Sequence, residues 1–262
     1  VTLPKVTDRD QVKHLRRKLE QIEAEHSLAD GSMGVELLIE TPTAMFDHKG
    51  RVPIRSFIKA ARSRCTSLHF GAYDYTASLG ISARFQDLRH PACDLARQFM
   101  LIAAAAEGIR VSDSVTTQMP LPIYRGDDLS DEQIAENRRA VHAGWQRHFA
   151  NVSNSMANGF YQSWDLHPNQ LPARYAAVFA FFLDGAALQA ERLKGFIERS
   201  TRASLTGTVF DDAASAQGIL TFFKLALNCG AMEPAEVESA VGLSAEEIVR
   251  GSFQEIMSAR LA

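Results

Sequence analysis

Short apolar runs alternate with amphipathic stretches over the first part of the chain, and this pattern predicts strands that alternate with helices. The predicted strands are rich in branched and aromatic residues, and they lie at residues 1–6, 35–42, 67–75, 109–115 and 159–164. The predicted helices carry apolar side chains at helical spacing, and they lie at residues 9–25, 53–63, 91–107 and 130–150. Strand and helix repeat at intervals of roughly thirty to fifty residues, which is typical of a parallel α/β fold, either a barrel or an open sheet.

From residue 171 the pattern changes, because helical segments follow one another with no strand between them. These segments lie at residues 175–182, 185–199, 212–229, 234–241 and 244–261. The sequence therefore predicts an α/β part followed by an all-helical appendage.

The composition of the 262-residue chain narrows the classes of function. Hydrophobic residues make up 46% of it, which is enough for a sizeable core. The net charge of −3 provides no basic surface for nucleic acid. Three scattered cysteines indicate reduced thiols, so we expect a cytoplasmic protein. No signal peptide opens the chain, and the longest weakly polar run, residues 100–106, is too short to span a membrane.

Two acidic residues stand at the C-terminal ends of successive predicted strands. Glu40 ends the apolar run that Pro42 terminates, and Asp74 ends the next strand after an intervening helix. The C-terminal ends of parallel strands joined in this way lie at one edge of a sheet, where α/β enzymes keep their catalytic groups. Two carboxylates that converge there suit a hard divalent cation, most often Mg²⁺. The alternative is that both acids cap the helices that follow.

Four motifs in this order resemble the HpcH/HpaI aldolase and citrate lyase β-subunit superfamily, which includes malyl-CoA lyases. They are Leu-Pro-Lys-Val at residues 3–6, Leu-Leu-Ile-Glu-Thr at 37–41, Phe-Gly-Ala-Tyr-Asp-Tyr-Thr-Ala-Ser-Leu-Gly at 70–80 and Leu-His-Pro-Asn-Gln at 166–170. The resemblance implies a (β/α)8 TIM-type barrel in which the Leu-Pro-Lys strand is about the fourth, so the N-terminal strands are missing from this chain. We therefore predict a partial catalytic barrel at residues 1–183 and a helical C-terminal extension at residues 184–262.

The resemblance also implies a reaction. Members of the superfamily hold Mg²⁺ or Mn²⁺ with a glutamate and an aspartate at the positions of Glu40 and Asp74. They break or form a carbon–carbon bond next to a carbonyl through a metal-stabilised enolate. The implied substrate is a 2-keto acid or a CoA thioester, and the implied assembly is a homo-oligomer, a trimer or hexamer. An essential arginine lies on an earlier strand in the superfamily and is absent from these residues.

Five residues of the same loops are predicted to contact the substrate. Gly71 would let the backbone approach the ligand, although a plain turn also explains it. Ala72 follows it in the same motif. Thr41 and Pro42 follow Glu40 and also fit a role in shaping the loop. Asp113 stands near the end of the 109–115 strand and also fits a turn.

Two further residues, Lys5 and His167, have two interpretations each. Lys5 either pairs with an acid such as Glu40 or is solvated. His167, which precedes a proline, either takes part in the chemistry or fixes a turn through a backbone hydrogen bond. His142 and His148 are expected on a polar helix face, without a partner at metal-ligand spacing.

The first functional hypothesis is a metal-dependent carbon–carbon lyase or aldolase. The alternative is a non-catalytic or partial barrel that serves as a binding or assembly subunit, which the missing strands and the helical tail motivate. A third possibility is a phosphoenolpyruvate-using barrel, which a phosphate-binding glycine loop would have favoured. The sequence contains no such loop, no nucleophile elbow and no Cys-x-x-Cys pair.

Overall fold

The computed structural model describes residues 1–206 and 213–261. The chain divides into two compact units, Val1–Arg174 and Tyr175–Ala262. The first unit contains a parallel sheet with helices, and the second is built from helices. The division lies inside one long helix, ahead of the boundary predicted at residues 183 and 184.

Five parallel strands form the sheet, and they lie side by side in the order in which they occur along the chain. They are β1 (Thr2–Leu3), β2 (Val35–Ile39), β3 (Cys65–Phe70), β4 (Arg110–Val115) and β5 (Ser163–Trp164). Parallel neighbours need crossover connections, and the helices between the strands supply them. Among the described residues β1 and β5 are the two edges, so these five strands form an open parallel sheet and not a closed ring.

The helices of the first unit are α1 (Arg9–Glu25), α2 (Pro42–Met45), α3 (Ile54–Ala61), α4 (Ala72–Ser78), α5 (Pro91–Glu107) and α6 (Asp131–Ala157). The predicted bounds of α1 and α5 are confirmed, because local signals set them. Asp8 begins α1 in a capping box with Gln11, and Gly108 ends α5 in the left-handed conformation at φ 67°. Ser130 caps α6 as predicted, but this helix continues to residue 157.

The two faces of the sheet differ in character, since side chains alternate between faces along each strand. On the face toward the helices, Leu37, Leu68 and Phe70 are at most 2% exposed and belong to the hydrophobic core of the unit. The opposite face carries polar side chains, namely those of Glu36, Glu40, Ser67, His69 and Ser112.

Several predicted strands are longer than those of the structure: β1 ends at Leu3 and β2 at Ile39, before the predicted ends at residues 6 and 42. β3 stops at Phe70, and Asp74 lies in the first turn of α4 rather than at a strand end. β5 is shorter than the predicted strand at residues 159–164. The reason is that Gly159, at φ 83°, and Phe160, whose N–H donates to Ser155 O, complete the end of α6.

The second unit contains most of α7 (Leu171–Thr206), then α8 (Ala213–Asn228), α9 (Pro234–Val241), α10 (Ala245–Arg250) and α11 (Phe253–Leu261). The helix predicted at 234–241 is confirmed. The two helices predicted at 175–182 and 185–199 are one continuous helix. The helix predicted at 244–261 is two, because Gly251 takes the left-handed conformation at φ 89° between them. Asp212, the first residue of the helix predicted at 212–229, lies outside the described residues.

One helical stretch, Pro168–Arg202, is long and apolar enough to cross a membrane by length and composition alone. The prediction that residues 100–106 are the longest weakly polar run is therefore wrong. Within its most apolar segment of 18 residues, 17% is buried. Length and composition are weak criteria by themselves, because core helices also meet them.

Candidate metal centre

The carboxyl ends of β2 and β3 bring Glu40 and Gly71 together. Ile39 is paired with Phe70 in the parallel register, so the residues that follow each strand are neighbours as well. The N–H of Gly71 donates to Ile39 O at 3.0 Å and extends the ladder by one bond. Glu40 therefore stands at the sheet edge that the sequence predicted for it.

The Glu40 side chain is 4% exposed and is held against the Gly71 backbone. Its Oε1 accepts a hydrogen bond from the main-chain N–H of Lys5 at 2.7 Å. A Cβ atom at position 71 would lie 2.4 Å from Oε2 and 2.5 Å from Cβ of Glu40. No real side chain fits at these distances, so Gly71 is required by the position of Glu40 and not by a turn conformation.

Asp74 approaches Glu40 from the first turn of α4. The Lys5 ammonium lies 2.7 Å from Asp74 Oδ2. Burial raises the pKa of Glu40, whereas the hydrogen bond from Lys5 lowers the pKa of Asp74. The negative charge of Asp74 adds to the effect of burial and raises the pKa of Glu40 further. One lysine thus contacts both acids that the sequence analysis selected.

The pair of acids has the donor chemistry of a hard divalent cation. Both supply carboxylate oxygens, which Mg²⁺ and Mn²⁺ prefer, and the absence of a side chain at Gly71 gives the Glu40 carboxylate the space that it occupies. The like charges of the pair already attract a cation, since the Lys5 ammonium lies against Asp74. Among residues 1–206 and 213–261, no group of three or more His, Cys, Asp or Glu is arranged to hold a metal. Glu40 and Asp74 fit a metal that takes its other ligands from water and substrate.

Thr41, Pro42 and Ala72 border the site without presenting free polar groups to it. Thr41 Oγ1 donates to Val6 O at 3.0 Å. Thr41 also precedes Pro42, which is the first residue of α2. The N–H of Ala72 donates to Ser114 Oγ at 3.0 Å. These contacts join neighbouring loops, which agrees with the loop-shaping interpretation of Thr41 and Pro42.

The structure does not bring Asp113, the fifth predicted substrate-binding residue, to this site. Its side chain points to the helix face of the sheet, opposite to Glu40, and is fully buried. The carboxylate accepts hydrogen bonds from Arg97 Nε at 3.0 Å and from Ser155 Oγ at 2.7 Å. Asp113 therefore pairs with a buried arginine, because alternation along β4 turns its side chain to the face opposite Glu40.

A row of polar side chains lies on the same face of the sheet as Glu40, and it was not predicted from the sequence. Trp164 Nε1 donates to His69 Nδ1 at 2.6 Å, and His69 Nε2 lies 2.7 Å from Ser67 Oγ. Glu36 accepts from Ser67 at 3.2 Å and from Thr2 at 2.7 Å. The row links β1, β2, β3 and β5. The spacing of Ser67 and His69, two residues apart in an apolar strand, was the signal that places them on the polar face.

The surroundings of His148 and His167 can be compared with those predicted from the sequence. His148 is 1% exposed, with Nδ1 at 2.9 Å from Thr116 Oγ1 and Nε2 at 2.7 Å from Asp165 Oδ1, so it is buried between two polar side chains and does not lie on an exposed polar helix face as predicted. His167 Nδ1 accepts the N–H of Asn169 at 3.1 Å, which is the turn-fixing bond of its second interpretation.

A cleft of about 220 Å³ is lined by residues of the β1–α1 connection, of α2 and of the segment between α2 and α3, and its lining includes neither Glu40 nor Asp74. Thr7 and Thr43 line it together with His48 and Arg51. The Arg51 guanidinium is paired with Asp47 at 2.7 Å.

Several solved structures resemble the chain. A citrate lyase from Burkholderia xenovorans LB400 has 19% identity and a TM-score of 0.56, covering 92% of this chain and 67% of its own. A Haloferax volcanii malate synthase lead(II) complex has 17% identity and a TM-score of 0.48, with coverage of 97% and 68%. Protein CitE from Mycobacterium tuberculosis, in complex with magnesium and acetate, has 22% identity and a TM-score of 0.43, with coverage of 68% and 56%. The first likeness shows a shared fold.

No curated protein matches the chain. Residues 1–256 match the family model of DUF6986, which is described as a domain of unknown function. This match extends over both compact units and all described helices except the end of α11. The chain belongs to the DUF6986 family.

Proposed function

We propose that this protein is a metal-dependent carbon–carbon lyase or aldolase that acts on a 2-keto acid or a CoA thioester. The observation that carries the proposal is that Glu40 and Asp74, at the carboxyl edge of a parallel sheet, both contact one residue, Lys5. The fold shared with a citrate lyase supports it. The magnesium in the CitE crystal belongs to that protein, and Mg²⁺ or Mn²⁺ is the ion we propose here.

In this proposal Glu40 and Asp74 hold the metal, and the surrounding residues fix their positions. The Lys5 N–H orients one oxygen of Glu40, and Gly71 gives the carboxylate room. When bound, the metal supplies a Lewis acid for the negative charge that develops on the substrate oxygen during enolate formation.

We also propose that the sheet is part of a (β/α)8 barrel. Its strands occur in chain order, whereas a doubly wound sheet reverses its order at a switch point. The polar face, which carries Glu36, Glu40 and His69, would then line the barrel interior. The chain covers 67% of the length of the similar citrate lyase, and the activity proposed here is that of the whole protein, as a homo-oligomer.

The test is calorimetry of Mg²⁺ or Mn²⁺ binding by the full-length protein, with and without pyruvate, oxaloacetate or glyoxylate. We expect the keto acid to strengthen metal binding, and we expect Glu40→Gln and Asp74→Asn each to weaken it at least tenfold, about 1.4 kcal/mol. A matched control is Asp94→Asn, which removes an exposed carboxylate outside the site. The wild-type protein would then be assayed for cleavage of CoA and non-CoA substrates.

The absence of metal binding by the folded, full-length protein would contradict the proposal. The alternative of a barrel that serves as a binding or assembly subunit would then be preferred. Equal binding by the wild type, Glu40→Gln and Asp74→Asn would place the metal elsewhere.

A further inference from the structure

Lys5 contacts both acids of the candidate site, and it does so through two different groups. Its main-chain N–H donates to Glu40 Oε1 at 2.7 Å, and its Nζ lies 2.7 Å from Asp74 Oδ2. Lys5 also has φ 50°, in the left-handed region that residues with a side chain rarely adopt. Backbone strain of this kind persists where the surroundings dictate the conformation, and it is frequent at functional sites.

The two contacts have different consequences. The main-chain N–H fixes Glu40 whichever side chain stands at position 5. The ammonium contact is open to water, because the side chains of Lys5 and Asp74 are 62% and 53% exposed. Exposed ion pairs add little net stability, so a cation of higher charge can break this one.

Charge balance indicates what the ammonium does in each state. Two adjacent carboxylates repel each other unless a proton or a cation lies between them. Without metal, the Lys5 ammonium is the cation beside them. A divalent ion at Glu40 and Asp74 would repel the ammonium and give the site a net positive charge, which suits an anionic substrate.

We propose that the Lys5 ammonium exchanges partners: it occupies Asp74 in the metal-free site, leaves it when a divalent ion binds, and then pairs with the carboxylate of the substrate. This inference rests on the proposed function, since it presupposes the metal site at Glu40 and Asp74. It makes Lys5 a substrate-binding residue within this chain.

The experiment compares the full-length wild type with Lys5→Met and Lys5→Arg by calorimetry, first with Mn²⁺ alone and then with pyruvate added to the metal-loaded protein. We expect Lys5→Met to bind Mn²⁺ at least about fivefold more tightly, because a competing cation is removed. We expect it to bind pyruvate at least about tenfold more weakly, because the carboxylate loses its partner. Lys5→Arg keeps the charge and should stay within about threefold of the wild type in both measurements.

Lys13→Met is the matched control, because it breaks an equally simple ion pair, Lys13–Asp10 at 2.5 Å, on α1. It should change neither affinity. A second measurement uses the wild type itself: mass spectrometry after brief amine acetylation should show that Mn²⁺ increases modification of Lys5 and that pyruvate then decreases it. This measurement keeps the test valid even if a variant does not fold.

The outcomes separate the two proposals. If the wild type binds Mn²⁺ but Lys5→Met binds it equally or more weakly, the exchange is wrong while the metal site remains. If metal binding is as expected but pyruvate affinity is unchanged in Lys5→Met, Lys5 does not bind the substrate carboxylate. If the wild type binds no metal, the proposed function fails and the exchange fails with it.

Discussion

At the scale of single residues, Gly71 decides whether Glu40 can occupy its position. Gly71→Ala places a methyl group where Glu40 Oε2 and Cβ lie 2.4 and 2.5 Å away. We expect the buried carboxylate to be displaced, with at least a tenfold loss of metal affinity and about 1–3 kcal/mol of stability. Calorimetry and thermal unfolding measure the two effects.

Gly218→Ala is the control for that substitution, because a Cβ at Gly218 meets nothing within 4 Å. Gly218 lies inside α8, so alanine should stabilise the protein by up to about 1 kcal/mol and leave metal binding unchanged. Normal metal affinity in Gly71→Ala would show that Glu40 does not need its present position.

Also at the scale of single residues, a substitution of Asp113 tests whether this acid, which the sequence predicted to bind substrate, belongs to the site. Asp113→Asn removes the buried charged partner of the Arg97 guanidinium and leaves only the exposed Asp94, so we expect a loss of about 3–5 kcal/mol in the free energy of unfolding. Metal affinity should not change, because Asp113 faces the helices. Urea unfolding and calorimetry check both statements.

Asp94 provides the comparison for Asp113, since it pairs with the same guanidinium at 2.9 Å but is 59% exposed. We expect Asp94→Asn to cost less than about 1 kcal/mol. A selective loss of metal or keto-acid binding in Asp113→Asn, without loss of stability, would restore the substrate-binding role.

At the scale of elements, the end of α3 carries strain in the backbone. Arg62 follows α3 with φ 58° and ψ −143°, a region that is almost confined to glycine. Arg62→Gly should therefore raise the free energy of unfolding by about 1 kcal/mol, which corresponds to about 2–4 °C in melting temperature for a chain of this size. Arg62→Ala keeps the strain and should leave the melting temperature near that of the wild type. Equal melting temperatures for all three proteins would show that this backbone is not strained.

At the scale of the whole molecule, stability should decrease in mild acid. Burial lowers the pKa of His148, and Arg174 lowers it further. In the unfolded chain the pKa is about 6.5, so below that pH the unfolded state takes up the proton first and the folded state loses relative stability. The loss continues until the pH falls below the folded-state pKa. Burial lowers the pKa of His69 in the same way.

His148→Gln removes one of these groups, so the decrease in stability between pH 7 and 5 should become smaller, with a limit of about 1.4 kcal/mol per pH unit for each group. Urea midpoints at the two pH values measure it. His142→Gln is the control, because His142 is an exposed histidine on the same helix. An unchanged acid sensitivity in His148→Gln would contradict the prediction.

The sequence was sufficient where short-range signals operate. The bounds of α1, α5 and α9 are confirmed because capping residues and helix-ending glycines act within one turn. The strand–helix–strand order also placed Glu40 and Asp74 at one edge of the sheet, since a parallel crossover leaves little choice. The metal they are predicted to hold stays a prediction.

Tertiary structure decided the features that depend on register and on packing between distant segments. Strand alternation turned Asp113 to the helix face, and the contact with Glu40, remote in sequence, determined that position 71 must be glycine. The Lys5 contacts and the burial of His148 likewise join segments more than thirty and fifteen residues apart. No local pattern encodes such contacts, because they form only after the strands have paired and the helices have packed.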